Sequence, residues 1–461
     1  MDFINDILTE VSGWVWGPPM LLLLLGTHIF LTVRLRLPQK HLLMAIRLSL
    51  SKDKGASGEV SQFGALTTAL AATIGTGNIV GVGTAIALGG PGAVFWCWIT
   101  GVLGIATKYG EGLLAVKYRV SSNGRMLGGP MYAIENGLAK PAKGAKRKFW
   151  KFMAVAFAVF TAIATFGIGS TVQANAISTM SSEVYGISPI VVGGIITIFA
   201  AAVIMGGVKS IARCCGTLVP LMAGFYILGC ITVLCMNSGY VWPALKLIME
   251  SAFNPEAAGG GFAGASIMIA ARYGIARGLF SNESGLGSAP IVAASAQTKN
   301  PVRQALVSST GTFWDTVVIC ALTGITIVSS ILAYPEISVN DGGELTKMAF
   351  SKIPYIGEPI LALGTLTFAF STILGWGLYG ERSMEYLSDK WLNRSKRKNN
   401  SSENNGSKMR GAINAYRVVF LITVYMGAVI SLDVVWNLAD IFNALMAIPN
   451  LLCLLFLSNV L

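Results

Sequence analysis

Residues 278–288 read Gly278-Leu279-Phe280-Ser281-Asn282-Glu283-Ser284-Gly285-Leu286-Gly287-Ser288. They stand in the middle of an apolar stretch, 265–296, that is long enough to cross a bilayer. Polar residues packed so closely are costly against lipid, Glu283 alone by a few kcal/mol. Residues 71–78, Ala71-Ala72-Thr73-Ile74-Gly75-Thr76-Gly77-Asn78, sit the same way inside the stretch 63–86. Gly75 and Gly77 each weaken a helix by roughly 1 kcal/mol relative to alanine, and Asn78 is polar at bilayer depth. Backbone freed at that depth is tolerated only where it lines a cavity in the protein, so both segments are read as unwound breaks inside membrane helices. Plainer readings exist for each. The first also suits a glycine-rich helix-packing face. The second also suits a re-entrant structural loop, or Glu283 paired with Arg272 or Arg277. For Glu283 itself a structural role is expected.

The rest of the chain supplies the membrane. Of 461 residues, 53% are hydrophobic and only 12% charged, with a mean hydropathy of +0.63. A soluble surface needs about 25% charged residues, so three soluble domains are excluded. Apolar stretches of membrane length number eleven, at 14–33, 63–86, 92–116, 150–169, 189–207, 217–236, 265–296, 308–332, 356–380, 412–431 and 434–458. Lys and Arg gather in every second loop, at 34–54, 117–151, 207–216, 297–307 and 381–411, whereas the alternate loops hold only Lys246, Lys347 and Lys352. Basic loops stay in the cytoplasm. The N-terminus is therefore expected outside and the C-terminus inside, which requires an odd number of spans. The net charge of +12 is explained by these loops, without nucleic acid. Membrane lipid is the expected neighbour, and the oligomeric state stays open. Residues 381–411 are expected to be a cytoplasmic linker, with the polar run Asn399 to Ser407 inside it. Segments 240–256 and 336–352 are expected as outer loops with short interfacial helices. The first apolar run ends on Arg34 and Arg36, after an N-terminus without a basic residue, so it is read as a retained span and not a signal peptide.

Setting the first span aside leaves ten, which split five and five. Each break then falls in the opening helix of its half. An odd number of helices per half means that the two halves insert with opposite orientation. The expected organisation is an N-terminal part (1–62), a first five-helix repeat (63–236), an outer loop (237–264) and a second repeat (265–458). Paired broken helices in corresponding places of inverted halves point to a midplane site in a secondary transporter. Half-helix N-termini suit a carboxylate, and freed carbonyls suit a cation. The ninth stretch adds a third element: Phe368, Ser371 and Thr372 share one helix face. With the Phe368 carbonyl they make a set of hard oxygens, although Ser and Thr in membrane helices commonly just bond the preceding turn.

These residues carry a resemblance. Gly64 to Pro91, with Ala-Ala-Thr-Ile-Gly-Thr-Gly-Asn-Ile-Val-Gly-Val, is similar to the alanine or glycine:cation symporter family. So are Gly128-Gly129-Pro130-Met131-Tyr132 and Ala276 to Pro290. The likeness runs from Trp16 to about Leu457. It implies a prokaryotic plasma-membrane importer of alanine or glycine, driven by sodium or sometimes protons. It also implies the fold of the bacterial sodium-coupled leucine transporter: all-α, five plus five inverted helices, here with one extra N-terminal helix and two discontinuous helices. On that resemblance the substrate carboxylate meets backbone N–H groups around Gly75, Thr76 and Gly77. The substrate amine meets the Phe280 carbonyl, Ser281 and Asn282, and glycine follows the second break at Gly285. Sodium sits between the carbonyls of Ala71 and Ile74 and the oxygens of Phe368, Ser371 and Thr372. Phe280, Trp376 and Phe166 wall the pocket, with Gln173 and Asn78 as further polar groups. For Phe166 and Trp376, plain helix packing is the other reading. Sodium is the coupling ion, and no other cofactor is implied.

Other classes fit less well. A channel needs a continuous polar lining, and polarity here is confined to two breaks. An intramembrane hydrolase needs a nucleophile beside a base, and the two histidines, His28 and His41, stand far from both clusters in sequence. The seven cysteines lie mostly in apolar runs without a CxxC pair and read as packing residues. Within transporters, glutamine, serine or proton coupling remain alternatives.

Overall fold

The computed structural model describes every residue except 1, 54, 123, 255–265, 338–341, 400–404 and 431–432. Helix takes 81% of the chain, which makes the class all-α. The helices used below are α1 (Pro18–Arg34), α2 (Gln62–Thr73), α3 (Gly77–Gly89), α4 (Gly92–Lys117), α5 (Gly144–Tyr185), α6 (Pro189–Ile204), α7 (Gly207–Met236) and α8 (Ile267–Asn282). There follow α9 (Pro301–Ala333), α10 (Gly357–Asn399), α11 (Asn405–Val429) and α12 (Asp433–Phe456). Strands β1 (Val120–Ser122) and β2 (Arg125–Leu127) form a small antiparallel hairpin after α4.

Among the described residues, seven helices are long and apolar enough to cross a membrane, and the bent pair α2–α3 makes an eighth if counted as one span. The other three expected stretches correspond to α4, which carries Lys108 and Glu111, to the 16-residue α6, and to α8, whose helix ends at Asn282.

Both expected breaks are present. After Thr73 the chain leaves the helix at Ile74, with ψ at 90°, and restarts at Gly77 after a bend of 53°. The second helix stops at Glu283, with φ at 54°. Gly285 and Gly287 then take φ values of 90° and 85°, which glycine adopts without the steric cost a side chain brings. A short helix, Pro290–Ala293, follows.

Among the described residues, four segments are wound as π-helix: 77–81, 134–139, 165–171 and 313–320. Such wide turns free backbone groups and occur often at functional sites. Here one follows the first break, and two more border it from α5 and α9. The outer segments expected at 240–256 and 336–352 contain the helices Ser238–Ser251 and Leu345–Phe350. The expected linker differs in its first half. Helix α10 runs unbroken to Asn399, because 381–399 lacks glycine and proline and carries polar residues that can end in water. Residues 400–404 of the expected linker lie outside the described residues.

Close packing brings α10 against α2. A Cβ on Gly375 would lie 2.7 Å from the Ala72 Cβ, so only glycine lets the two backbones approach this far. That approach puts the hydroxyls of α10 beside the first break.

Candidate functional site

The first break redirects its own hydrogen bonds. In a continuous helix, Gly75 N–H would donate to Ala71 O. It donates instead to Asn78 Oδ1, at 2.9 Å, while Asn78 N–H bonds Gly75 O at 3.2 Å. The carbonyls of Ala71 and Ile74 are thereby turned toward α10. Thr372 Oγ1 lies 3.0 Å from Ala71 O, 3.5 Å from Ile74 O and 3.0 Å from Phe368 O. Ser371 Oγ lies 3.2 Å from Ala71 O and 2.9 Å from Phe368 O. The expected cation ligands Ala71, Ile74, Phe368, Ser371 and Thr372 are thus brought together, and all five are buried. The set has five oxygens and only two hydroxyl hydrogens. Carbonyl lone pairs are in excess, and a soft atom, Met222 Sδ, lies beside the set at 3.5 Å from Ser371 Oγ. A hard cation of single charge suits such a cradle.

The substrate side lies just across the break. Thr76 and Gly77 line a cavity of about 170 Å³ with Gly81, Thr84, Arg277 and Phe280. The Thr76 hydroxyl is buried and has no protein partner. Gly77 opens α3, so its N–H belongs to a helical first turn without intrahelical acceptors. A Cβ on Gly77 would stand 3.1 Å from the Phe280 ring. Gln173 reaches the same place, with Oε1 3.5 Å from Thr76 N, while its Nε2 donates to Ile168 O at 3.0 Å. A second cavity of about 230 Å³ also borders Phe280 and Arg277, and extends to Ser12, Trp16 and Asn437.

The two breaks are joined by a residue that the sequence reading passed over. Asp315, in the π-turn of α9, is fully buried. Its Oδ1 accepts from Asn78 Nδ2 at 2.7 Å. Its Oδ2 accepts from Ser281 Oγ at 2.9 Å and Thr316 Oγ1 at 2.7 Å. Asn282 lies one step behind, donating through Nδ2 to Thr316 Oγ1 at 3.1 Å. Lys108 and Glu111 were missed as well. The signal available was the same for all three: a charge inside an apolar stretch is a functional or structural centre by default.

The remaining expected residues lie apart. Gly285 bonds Glu111 and Asn450, on the far side of the second break from the Thr76 cavity. Trp376 is buried at the α10–α5 contact, where a Cβ on Gly169 would meet its Cβ at 2.3 Å, and its ring meets Tyr379 edge-on at 5.5 Å. Phe166 packs on Tyr416 and Phe420 of α11. Of the three expected aromatic walls, Phe280 lines the cavity, while Phe166 and Trp376 pack against neighbouring helices. The Glu283 carboxylate accepts from the Ser288 hydroxyl, and Arg277 lies over the Phe280 ring instead, at 5.9 Å. His28 corrects a sequence inference. It is distant in sequence, yet its Nε2 lies 3.2 Å from Ser284 Oγ in the second break, because α1 packs across α4 beside that segment.

A broken helix that forms an oxygen cradle with α10, and a second broken helix that meets it at a small cavity, define a membrane carrier of the kind with discontinuous helices. The chain belongs to the sodium:alanine symporter family, whose model matches residues 1–461. It is 48% identical to the sodium/alanine symporter AgcS of Methanococcus maripaludis, over 100% of this chain and 96% of that one. It is 34% identical to the probable sodium/glutamine symporter GlnT of Bacillus subtilis, over 99% and 89%. Among solved structures, it is similar to MhsT in complex with L-phenylalanine, with a TM-score of 0.52 at 15% identity over 86% of this chain and 89% of that one. It is equally similar, at TM-score 0.52 and 12% identity over 90% and 82%, to a Na+-coupled sialic acid symporter in a substrate-bound outward-open state. At such identities these two speak for the fold alone. The chain is therefore a multi-pass protein of the prokaryotic plasma membrane and a sodium-coupled amino-acid symporter, not an enzyme.

Proposed function

We propose that this symporter imports a small neutral amino acid, alanine or glycine, together with sodium, by alternating access around the first break. The observation that carries the reading is the cradle of Ala71, Ile74, Phe368, Ser371 and Thr372, which couples the ion directly to the segment that presents Thr76 and Gly77. Sodium at the cradle holds α2 against α10. It thereby fixes the direction of the N–H groups at Thr76 and Gly77, and the helix N-terminus there favours the substrate carboxylate. Ser281 and the Phe280 carbonyl serve the amine, and the Phe280 ring limits side-chain size. Each ligand then raises the affinity for the other, as linkage requires. The membrane potential adds ~2.3 kcal/mol per charge per 100 mV to sodium entry.

We further propose eleven spans, with five-plus-five inverted halves at 63–236 and 265–458, the N-terminus outside and the C-terminus in the cytoplasm. The charge asymmetry of the loops supports this orientation. In that frame both cavities open toward the outer side, because one of them includes Ser12 and Asn437. The opposite end is closed by ion pairs. Arg382 bonds Glu59 at 2.8 Å and Glu385 at 3.1 Å, and Arg125 bonds Glu385 at 3.3 Å. The arrangement fits a carrier closed inward, with its site reached from outside. Glutamine is the rival substrate, supported by the likeness to a protein described as a probable sodium/glutamine symporter. Uptake of labelled alanine, glycine and glutamine into proteoliposomes, under imposed sodium or proton gradients, tests the proposal. Sodium-driven, saturable alanine or glycine uptake with counterflow is expected. Uptake driven only by protons, or flux without saturation, overturns it.

A further inference from the structure

The backbone of 283–288 has left the helix, yet its polar groups do not face the cavity at Thr76. They are held from behind by three other helices. Lys108 Nζ of α4 donates to Glu283 O at 3.2 Å. Gly285 N–H donates to Glu111 Oε1 at 3.0 Å, and Asn450 Nδ2 of α12 donates to Gly285 O at 2.9 Å. The last hold comes from α1, where the fully buried His28 lies between two hydroxyls: Thr107 Oγ1 at 2.8 Å from Nδ1, and Ser284 Oγ at 3.2 Å from Nε2.

The network assigns the tautomer. Ser284 Oγ spends its one hydrogen on Asn282 Oδ1, at 2.6 Å, so it accepts from His28, and Nε2 carries the proton. Nδ1 then accepts from Thr107. The order continues without reversal. Asn282 donates to Thr316 at 3.1 Å, and Thr316 donates to Asp315 at 2.7 Å, the carboxylate that also receives Asn78 and Ser281. Thr107, His28, Ser284, Asn282 and Thr316 thus form one directed file of donors that ends on Asp315, between the two breaks. The file is tightly packed at Ser284 and His28. A Cβ on Gly104 would stand 2.5 Å from Ser284 Oγ, and one on Gly285 would meet Leu24 at 2.9 Å and His28 at 3.6 Å.

We propose that His28 is a positioning residue for transport: through Ser284 and Asn282 it sets the orientation of Thr316 and Asp315, and so the place where the two breaks meet. The helix that precedes the paired halves becomes a working part of the site. The uptake arm of the test rests on the proposed alanine or glycine symport; the exchange arm does not.

The test uses the full chain, purified in detergent for hydrogen–deuterium exchange and reconstituted for alanine uptake. In His28→Leu the amides of 283–288 are expected to exchange about tenfold faster. The apparent KM for alanine is expected to rise about tenfold, with Vmax little changed, since what is lost is the ordering of the site. His28→Gln, whose amide spans the reach to Ser284, recovers most of both. Ser284→Ala reproduces the defect without touching α1 and carries the test if His28→Leu fails to fold. The double variant is expected to be no worse than either single one, since both cut the same file. Wild-type exchange and KM in Ser284→Ala and in any folded His28→Leu overturn the proposal, as do additive defects in the double variant. If the wild-type chain takes up neither alanine nor glycine, the function reading fails, and the exchange arm alone decides the role of His28.

Discussion

Thr372 and Ala71 stand 301 positions apart in the chain, and the hydroxyl of one lies 3.0 Å from the carbonyl of the other. That contact locks the first break to α10. Thr372 Oγ1 has one hydrogen and three carbonyl neighbours, from Ala71, Ile74 and Phe368, so the hydroxyl serves better as one more ligand than as a donor to all three. Thr372→Val keeps the shape and removes the oxygen. The sodium concentration for half-maximal uptake is expected to rise at least about tenfold, the effect of losing one charge-assisted contact. Ser371→Ala, which touches only two of the carbonyls, is expected to shift it less. Uptake measured against external sodium checks both. Unchanged sodium dependence in Thr372→Val would remove the cradle from the mechanism.

Gly75 gives a steric test of the same contact. A Cβ built on it would lie 2.6 Å from Thr372 Oγ1 and 3.4 Å from Gln173 Oε1. Alanine there pushes the break off α10 and separates Ala71 O from the hydroxyls. Gly75→Ala is expected to express and fold, since the overlap falls on one side-chain oxygen and not on backbone, and to lose sodium-stimulated uptake. Thr372→Ser, which keeps the hydroxyl on a side chain freer to turn about χ1, lets the oxygen move aside and is expected to restore part of it. Thermal melts in sodium against potassium read the effect without substrate. The stabilisation that sodium gives the wild type is expected to disappear in Gly75→Ala and to return in part in the double variant.

How far the sequence carried can be traced on these residues. The breaks were legible because glycine and polar residues at bilayer depth have few other uses. Ser371 and Thr372 were legible because hydroxyls three and four positions after Phe368 fall on one face. Asp315 carried only the general signal of a charge in an apolar run, which gives no hint of its partners. Those partners, Asn78 and Ser281, are 237 and 34 positions away. The π-turn that aims Asp315 has no signature in residue type. Phe166 and Trp376 pack on neighbouring helices for a related reason: an aromatic residue near a polar cluster packs equally well on the next helix, and only tertiary geometry chooses. His28 was misjudged because its distance along the chain was treated as distance in space.

The ion pairs at the closed end make a separate prediction. Arg382 is held between Glu59, just before α2, and Glu385, one turn along α10. Its side chain is 5% exposed and that of Glu59 9%. Removing one partner of a buried pair leaves an uncompensated charge and costs about 3–5 kcal/mol. Arg382→Ala is therefore expected to favour the inward-open state and to slow return. Ser295→Cys, at a buried position whose carbonyl accepts from Glu59 N–H at 2.8 Å, is expected to react faster in the Arg382→Ala background with a membrane-impermeant thiol reagent applied from the cytoplasmic side, with alanine uptake reduced about tenfold or more. The reagent rate in the wild-type background is the control. Equal rates in both would mean that these pairs do not close the end.

Asp315→Asn bears on how the breaks are held together. The change keeps the volume and turns one acceptor into a donor. If the new amide nitrogen faces Asn78, two donors meet where a 2.7 Å hydrogen bond stood. That is the worse arrangement, so the nitrogen turns toward Ser281 and Thr316. Ser281 can then donate to Cys320 Sγ, 3.2 Å away. Thr316 already accepts from Asn282 and must find a new acceptor for its own hydrogen, and none of its contacts described above supplies one. One buried hydrogen bond to a charged group is lost, worth about 1.5–3 kcal/mol. The loss falls on the contact between the two halves of the site. Asp315→Asn is accordingly expected to lower kcat/KM for alanine by about 10- to 100-fold, with less effect on the sodium dependence set by Thr372. Uptake measured against alanine and against external sodium checks this. A sodium dependence shifted as far as in Thr372→Val would place the defect at the cradle instead.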